Sequence, residues 1–271
     1  YYGSIRNDYG YASALDRSGN LIIAGTGTGP WDGPGGIAPL NPYSHSPSSG
    51  RSDILVVKLD ITLLTVAIEQ SADQTDPTNG SPIDFDVVFS DAVTGFDETD
   101  VDLSSSTTAG TLSASVSEVL PYDGTTYLVT VSGMTGSGDV IASIPAGAAQ
   151  DPAANFSEVS TSVDNTVTYD ITPPMICTFI VASISNSLDI PITAFAALDN
   201  VAVNGYQITE SANAPAIDNN GWSETIPAVY TVGEEGNHTL YPWARDTAGN
   251  VSTVFGSPAS IIVDTQRLCH G

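Results

Sequence analysis

Apolar residues in this chain fall into short alternating or continuous runs, separated by Gly, Pro, Asn and Asp at intervals of roughly ten residues. Almost no segment carries the i, i+3, i+4 spacing of an amphipathic helix. The pattern predicts an all-β protein made of sandwiches, barrels or propeller blades. Three units emerge along it: residues 1–60, 61–171 and 172–265, with a tail over 266–271.

In the first unit, strands are predicted over Tyr9–Leu15, Leu21–Gly25 and Asp53–Asp60, with a turn by composition at Asp16–Asn20. The 27 residues from Thr26 to Ser52 are rich in Gly, Pro and Ser, an uncommonly long irregular stretch for a compact domain. The second unit carries predicted strands over Leu63–Gln70, Ile83–Ser90, Val101–Ser104, Thr111–Val119, Thr126–Ser132, Asp139–Ile144 and Thr161–Tyr169. Seven short strands suit an immunoglobulin-like sandwich. Asp170-Ile171-Thr172-Pro173-Pro174 marks a boundary, because two prolines resist continuation of a sheet and stiffen the connection. The third unit repeats the style, with strands over Ile176–Ala182, Leu188–Phe195, Val203–Thr209, Ala228–Val232, His238–Arg245 and Ala259–Val263. Its Trp222, Tyr241 and Trp243 are expected in the core or at a sheet end.

Specific segments carry resemblances. The Ala14-Leu15-Asp16-Arg17-Ser18-Gly19-Asn20 turn, the Leu-Ile-Ile-Ala-Gly-Thr strand from Leu21 and the closing Asp53–Asp60 resemble the SBBP-type bacterial β-propeller repeat. That resemblance implies one blade, and a single blade neither closes a propeller nor buries both of its faces. The stretches around Asp76–Phe85, Val87–Phe96 and Val131–Gly138, with the close Asp164–Asp170, resemble the immunoglobulin-like repeats of large bacterial surface proteins. Leu198–Val203, Tyr206–Ser211 and Leu240–Ser252 resemble another such module. The expected architecture is two immunoglobulin-like β-sandwiches in tandem, preceded by a propeller-blade-like segment.

Charge narrows the function. Six Lys and Arg face 31 Asp and Glu, for a net charge of −25. The basic residues are Arg6, Arg17, Arg51, Lys58, Arg245 and Arg267, so the 186 residues from 59 to 244 hold none. Nucleic acid is not expected as a partner, and an anionic membrane surface is disfavoured, since both require a basic footprint. No apolar run reaches the ~18 residues of a membrane span. The acidity has two readings: solubility in a salty or extracellular medium, or carboxylates that bind Ca²⁺ through hard oxygen ligands. Charged residues make up only 14 %, so Ser, Thr, Asn and Gly must supply most of the polar surface.

Candidate metal ligands are Asp97, Asp100 and Asp102 in one acidic run, and Asp199 and Asp246, each in an Asp/Asn-rich turn of the third unit. Asp199-Asn200 and Asp246–Asn250 are expected to converge at one end of that unit. Asp151, Asp164 and Asp170 fall near the end of the second, close to the prolines. None of these fits the Ca²⁺ loop of an EF-hand. The competing account is that Asp and Asn serve as turn residues, capping local backbone groups. No cofactor is assigned with certainty, and Ca²⁺ is the candidate.

No catalytic residue is assigned. The histidines are His45, His238 and His270, and no Gly-x-Ser-x-Gly elbow or Cys-His triad spacing is present. The only Lys, Lys58, lies outside both sandwiches, which excludes internal Lys–Asn cross-links there. The sequons at Asn155, Asn237 and Asn250 carry no implication in a bacterial protein. Cys177 opens the first strand of the third unit and Cys269 follows its last. A sandwich length of about 20 Å or more separates those positions, so a bridge requires a folded-back tail or a neighbouring subunit. The alternative is two free thiols with Cys177 buried.

These features point to a non-enzymatic structural or adhesive protein of an extracellular bacterial surface. The chain opens without a start Met, a basic n-region or an apolar h-region, and it reads as a processed or excised segment. One version is a filament subunit that associates with copies of itself or with other surface proteins. In it, Leu21, Ile22 and Ile23 with Ile54, Leu55, Val56 and Val57 insert by strand addition. The alternatives are a carbohydrate-binding module using Trp31, Tyr43 and Trp222, and an accessory segment of a secreted hydrolase.

Overall fold

A computed structural model describes residues 63–266 with their side chains, and N-terminal to them the backbone of three strands. The chain divides into two compact units, Tyr1–Leu63 and Leu64–Gly271.

In the first unit, β1 (Asp8–Leu15), β2 (Leu21–Gly27) and β3 (Asp53–Leu59) form an antiparallel sheet in the order β1-β2-β3. The β1–β2 register slips between Gly10 and Ala12, whereas Leu21↔Leu59 through Gly27↔Asp53 pair without interruption. All three strands expected from sequence are present. One expectation is corrected. Strand addition through Leu21, Ile22 and Ile23 would need an unpaired edge on β2, but β2 lies in the middle of the sheet with both edges paired, and only β1 and β3 are edge strands of it. Trp31, Tyr43, His45 and the long Gly/Pro/Ser stretch lie outside the described residues.

The second unit begins with a four-stranded sheet in the order β4-β5-β7-β6: β4 (Val66–Gln70), β5 (Ile83–Phe89), β6 (Gly110–Glu118) and β7 (Thr126–Met134). Facing it are β8 (Gly138–Ile141) and β9 (Thr166–Tyr169). In β5 and β7 every second residue points inward. Ile83, Phe85 and Val87 are wholly buried with Val129 and Val131, while Asp84 and Asp86 point outward. Phe89, Phe96 and Tyr127 close one region of this core edge-to-face, with centroids 5.2–5.8 Å apart. The predicted strand Val101–Ser104 is corrected to a single bridge, Asp102↔Ser143, because Asp102 turns its side chain onto the Ser104 amide. Gly110 and Gly133 stand where β6 and β7 come closest. Each has a positive φ, and a Cβ on either would lie 2.1 Å from a backbone oxygen of the other strand.

The following sandwich pairs β10 (Met175–Val181), β12 (Asp189–Leu198) and β14 (Val229–Thr231) in one sheet. The other sheet runs β11-β16-β15-β13: β11 (Ile184–Ser185), β13 (Val203–Thr209), β15 (Gly236–Asp246) and β16 (Ala259–Val263). β11 went unpredicted, since two residues carry no period. It pairs parallel to β16 and moves the chain from one sheet to the other. The immunoglobulin fold has A-B-E-D and C-F-G sheets. The first sandwich follows it as β4-β5-β7-β6 against β8-β9. The second follows it as β10-β12-β14 against β13-β15-β16, with β11 as the sheet-switching end of the first strand.

Ile190, Leu240, Ala244, Ile261 and Val263 centre the second core, with Phe195 stacked edge-to-face on Phe179 and Tyr206. Trp243 falls on the opposite side of β15 from Leu240 and Ala244, yet it is only 1 % exposed. Its Nε1 donates to Thr209 Oγ1 at 2.9 Å. Cys177 is exposed, which corrects the buried-thiol expectation: it sits at an outward position of β10, between buried Ile176 and half-buried Thr178. Cys269 lies outside the described residues.

Phe85→Ala is expected to lower stability by roughly 3–5 kcal/mol, the loss for a buried aromatic. Val88→Ala, on the outer face of the same strand, should stay within about 0.5 kcal/mol. Equilibrium unfolding in urea distinguishes the two.

Candidate functional site

An immunoglobulin-type sandwich places its B–C and F–G loops at one end, where its first strand also begins. In the second sandwich these loops are Asp199–Ala202, between β12 and β13, and Thr247–Pro258, between β15 and β16. The first sandwich ends in β9 at Tyr169, and five residues, Asp170–Pro174, lead to β10. The topology therefore delivers Asp170 to the end of the second sandwich that carries Asp199 and Asp246.

Local chemistry shapes both loops. Asp199 Oδ2 accepts from the amides of Val201 and Ala202 at 2.9 and 3.1 Å. Asp246 Oδ1 accepts from the amides of Gly249 and Asn250 at 2.7 and 2.8 Å, and Gly249 takes a positive φ that favours glycine. These are the self-capping turns that Asp forms readily.

Long-range bonds then cross the junction. Asn250 Nδ2 donates to the main-chain oxygen of Asp170 at 2.7 Å and to Asp246 Oδ2 at 2.8 Å. Asn79 Nδ2 donates to Asn250 Oδ1 at 3.0 Å, and the Asn79 amide to the Ala248 carbonyl at 3.2 Å. Asn200 Nδ2 donates to Asp170 Oδ1 at 3.1 Å. Ser137 Oγ and the Thr172 amide donate to that same oxygen at 2.8 and 2.9 Å.

The result is a cluster of three carboxylates. One oxygen from each of Asp170, Asp199 and Asp246 lies within 4.8 Å of the others. Asp170 and Asp246 are 0 % and 1 % exposed, and Asp199 is half-buried. Asp170 Oδ2 and Asp199 Oδ1 are buried with no hydrogen-bond partner. At 4.8 Å two unit charges repel by about 3–4 kcal/mol at an effective dielectric constant near 20. Burial, first of all, pushes the Asp246 carboxyl above its ordinary value, and repulsion from Asp199 adds to it against the bonds from Asn250 and Gly249. The donors named for the three carboxylates are amides and a hydroxyl, none of them charged. Chemically, the cluster is an all-oxygen anionic centre.

Asp199 and Asp246, both expected as ligands, are thus brought together. Asp97, Asp100 and Asp102, the other ligands expected, lie outside this group. Asp97 caps the short 3-10 turn Glu98–Asp100 by accepting from Thr99, and Asp100 returns a bond from the Asp97 amide. Asp102 accepts from the Ser104 amide. These bonds lower the Asp97 and Asp102 carboxyls from their ordinary values, with Thr99 and Ser104 as the causes. Asp151 is held similarly by Asn155, and Asp164 caps Thr166. In the sequence, Asp170 groups with Asp151 and Asp164 only by position. Its distinguishing signal was its place just before the prolines. Trp222, named above for a carbohydrate site, is half-buried, with the Arg245 guanidinium over its ring at 5.3 Å and its Nε1 donating to the Ala216 carbonyl.

A concavity of about 280 Å³ lies beside the junction, lined by Pro174, Ile176, Val254 and Phe255 among others, with no titratable group in its wall. Fold and site together define a two-sandwich, all-β module of immunoglobulin type with an acidic junction. No protein-family model matches the chain, and no curated protein matches it. Among solved structures, it is similar at 15 % identity to the fibronectin(III)-like modules of Clostridium thermocellum CbhA, over 75 % of this chain and 97 % of that one, with a TM-score of 0.35. It is also similar at 15 % identity to the N-terminal part of the bacterial S-layer protein SbsC, over 75 % of this chain and 44 % of that one, with a TM-score of 0.27.

His238 lies apart from this centre. Its Nδ1 is 2.8 Å from Glu210 Oε2 and its Nε2 is 3.0 Å from the Glu234 carbonyl. The bond to Glu210 chiefly raises its pKa above the usual 6.5, with Glu234 adding to it and desolvation opposing. A raised histidine stabilises the fold fully below its unfolded value, and that contribution is lost as pH rises through the folded one. The thermal midpoint should therefore fall as pH rises from about 6 to about 8, and Glu210→Gln should flatten the fall, as read by calorimetry across that range.

Asn250→Ala strips the Asp170 carbonyl and Asp246 Oδ2 of a donor. It should cost about 1–3 kcal/mol and broaden the distribution of inter-sandwich distances in small-angle scattering.

Proposed function

We propose that this chain is a non-enzymatic structural module of an extracellular bacterial surface, in which two sandwiches set end to end act as a spacer. The observation that carries the reading is the junction. Asn79, Asn200 and Asn250 bond directly across it, so the sandwiches are held to each other rather than strung on a free linker. The carboxylates support the same reading. A glycosidase needs one carboxylic acid with a raised pKa near a second carboxylate across a cleft. Turn bonds instead lower the carboxyls of Asp97, Asp102, Asp123 and Asp151, and the one Asp raised among the described residues, Asp246, is 1 % exposed in the junction. The chain's net charge of −25 keeps such a surface hydrated and self-repelling in an extracellular medium.

The first unit favours a second reading, a filament subunit. Its three-stranded sheet offers two edges, β1 and β3, to a strand from another copy or another surface protein. Light scattering and negative-stain microscopy of the full chain at rising concentration test this. Ordered polymers, lost when residues 1–60 are removed, are the expected result for a filament. Monodisperse monomers at every concentration overturn it and leave the spacer. Hydrolysis of a polysaccharide or peptide panel by the purified chain, abolished by Asp246→Asn, would overturn the non-enzymatic reading itself.

A further inference from the structure

We propose that Asp170, Asp199 and Asp246 form a Ca²⁺ site that ties the last residue of one sandwich's frame to two loops of the next. Three observations carry this. The ligand oxygens come from both sides of the junction and lie within 4.8 Å of one another. Asp170 is fully buried, and its two oxygens are treated differently: Oδ1 accepts from Ser137, Thr172 and Asn200, while Oδ2 accepts from nothing. Asp199 repeats the division, with Oδ2 bonded to two amides and Oδ1 buried and free. Turn capping accounts for the bonded oxygens and leaves the free ones unexplained. A buried polar atom without a partner is costly unless something is meant to reach it.

The chemistry selects the ion. Every donor is a carboxylate oxygen, and the cluster contains no His or Cys. That disfavours zinc and suits a hard cation. Ca²⁺ accepts irregular shells of about six to eight oxygens, whereas Mg²⁺ demands near-ideal octahedra and gives up water reluctantly. Three carboxylates supply part of such a shell, and Ca²⁺ commonly completes the rest with carbonyls and water. Three negative charges make a site for a divalent ion that also removes their mutual repulsion. The binding stands on this geometry alone. Its consequence, a stiffened pair of sandwiches, rests on the spacer reading.

The test uses the full chain stripped with a chelator. Calorimetric titration with Ca²⁺ should show binding in the ~0.1–1 mM range typical of extracellular modules, or tighter. Ca²⁺ should raise the thermal midpoint, and Mg²⁺ or Na⁺ at matched ionic strength should not do so to the same extent. Asp170→Asn keeps an Oδ1 for the three donors and removes the free anionic oxygen. It should weaken binding by about tenfold or more, with a metal-free midpoint no lower than that of the stripped parent. Asp199→Asn serves if that variant does not fold. Asp97→Asn, in an exposed turn, should leave the Ca²⁺ response intact. The site is overturned if Ca²⁺ has no effect, if Mg²⁺ and Na⁺ match it, or if both junction variants respond like the parent. If Ca²⁺ binding is lost in the variants but small-angle scattering of the parent is the same with Ca²⁺ and with chelator, the site stands and its stiffening role is overturned.

Discussion

The structure depends most on how negative charge is managed where the two sandwiches meet. A buried carboxylate is tolerated only when hydrogen bonds or a counter-charge replace its water. Asp170, Asp199 and Asp246 put three of them in one place, and amides and a hydroxyl satisfy only some of the oxygens. Elsewhere on the chain an Asp can face solvent at little cost. Here it cannot, and the asparagines around it are the response. Asn79, Asn200 and Asn250 bring donors without bringing more charge, and each makes at least one bond that crosses the junction.

This arrangement follows from topology as much as from composition. In an immunoglobulin-type sandwich the start of the first strand shares an end with the B–C and F–G loops. Any residue just upstream of β10 therefore meets Asp199 and Asp246. The two prolines at 173 and 174 keep the connection from coiling away. The cores contribute by holding β12 and β15 rigid: Ile190 and Leu240 are wholly buried, so the loops at the strand ends are presented from fixed supports.

Much of the fold was legible in the sequence, because the period-two alternation of residues such as Ile83-Asp84-Phe85-Asp86-Val87 leaves one assignment open. Failures fell where periodicity had nothing to report. β11 is two residues long, and Val101–Ser104 alternates plausibly yet gives up its ladder to an Asp102 side-chain bond. The site was half legible. Asp199 and Asp246 stood out as Asp in Asp/Asn-rich turns, but so did Asp97 and Asp102, and composition does not separate them. What separates them is long-range. The side-chain bonds of Asp97 and Asp102 reach at most three residues along the chain, whereas the Asp170 side chain bonds to Ser137 and Asn200. Only the tertiary structure carries that distinction.

The same distinction bears on the acidity of the whole chain. Spread over turns, Asp residues cap amides and keep the surface hydrated, and they need no cation. Concentrated at a junction and buried, they change role, because hydration is what the junction removes. A junction of Asn alone would bond across the boundary equally well and would carry no electrostatic penalty. The retention of three carboxylates there, two of them with an oxygen left unbonded, is therefore better explained by a charge that arrives from outside the chain than by the needs of the turns themselves.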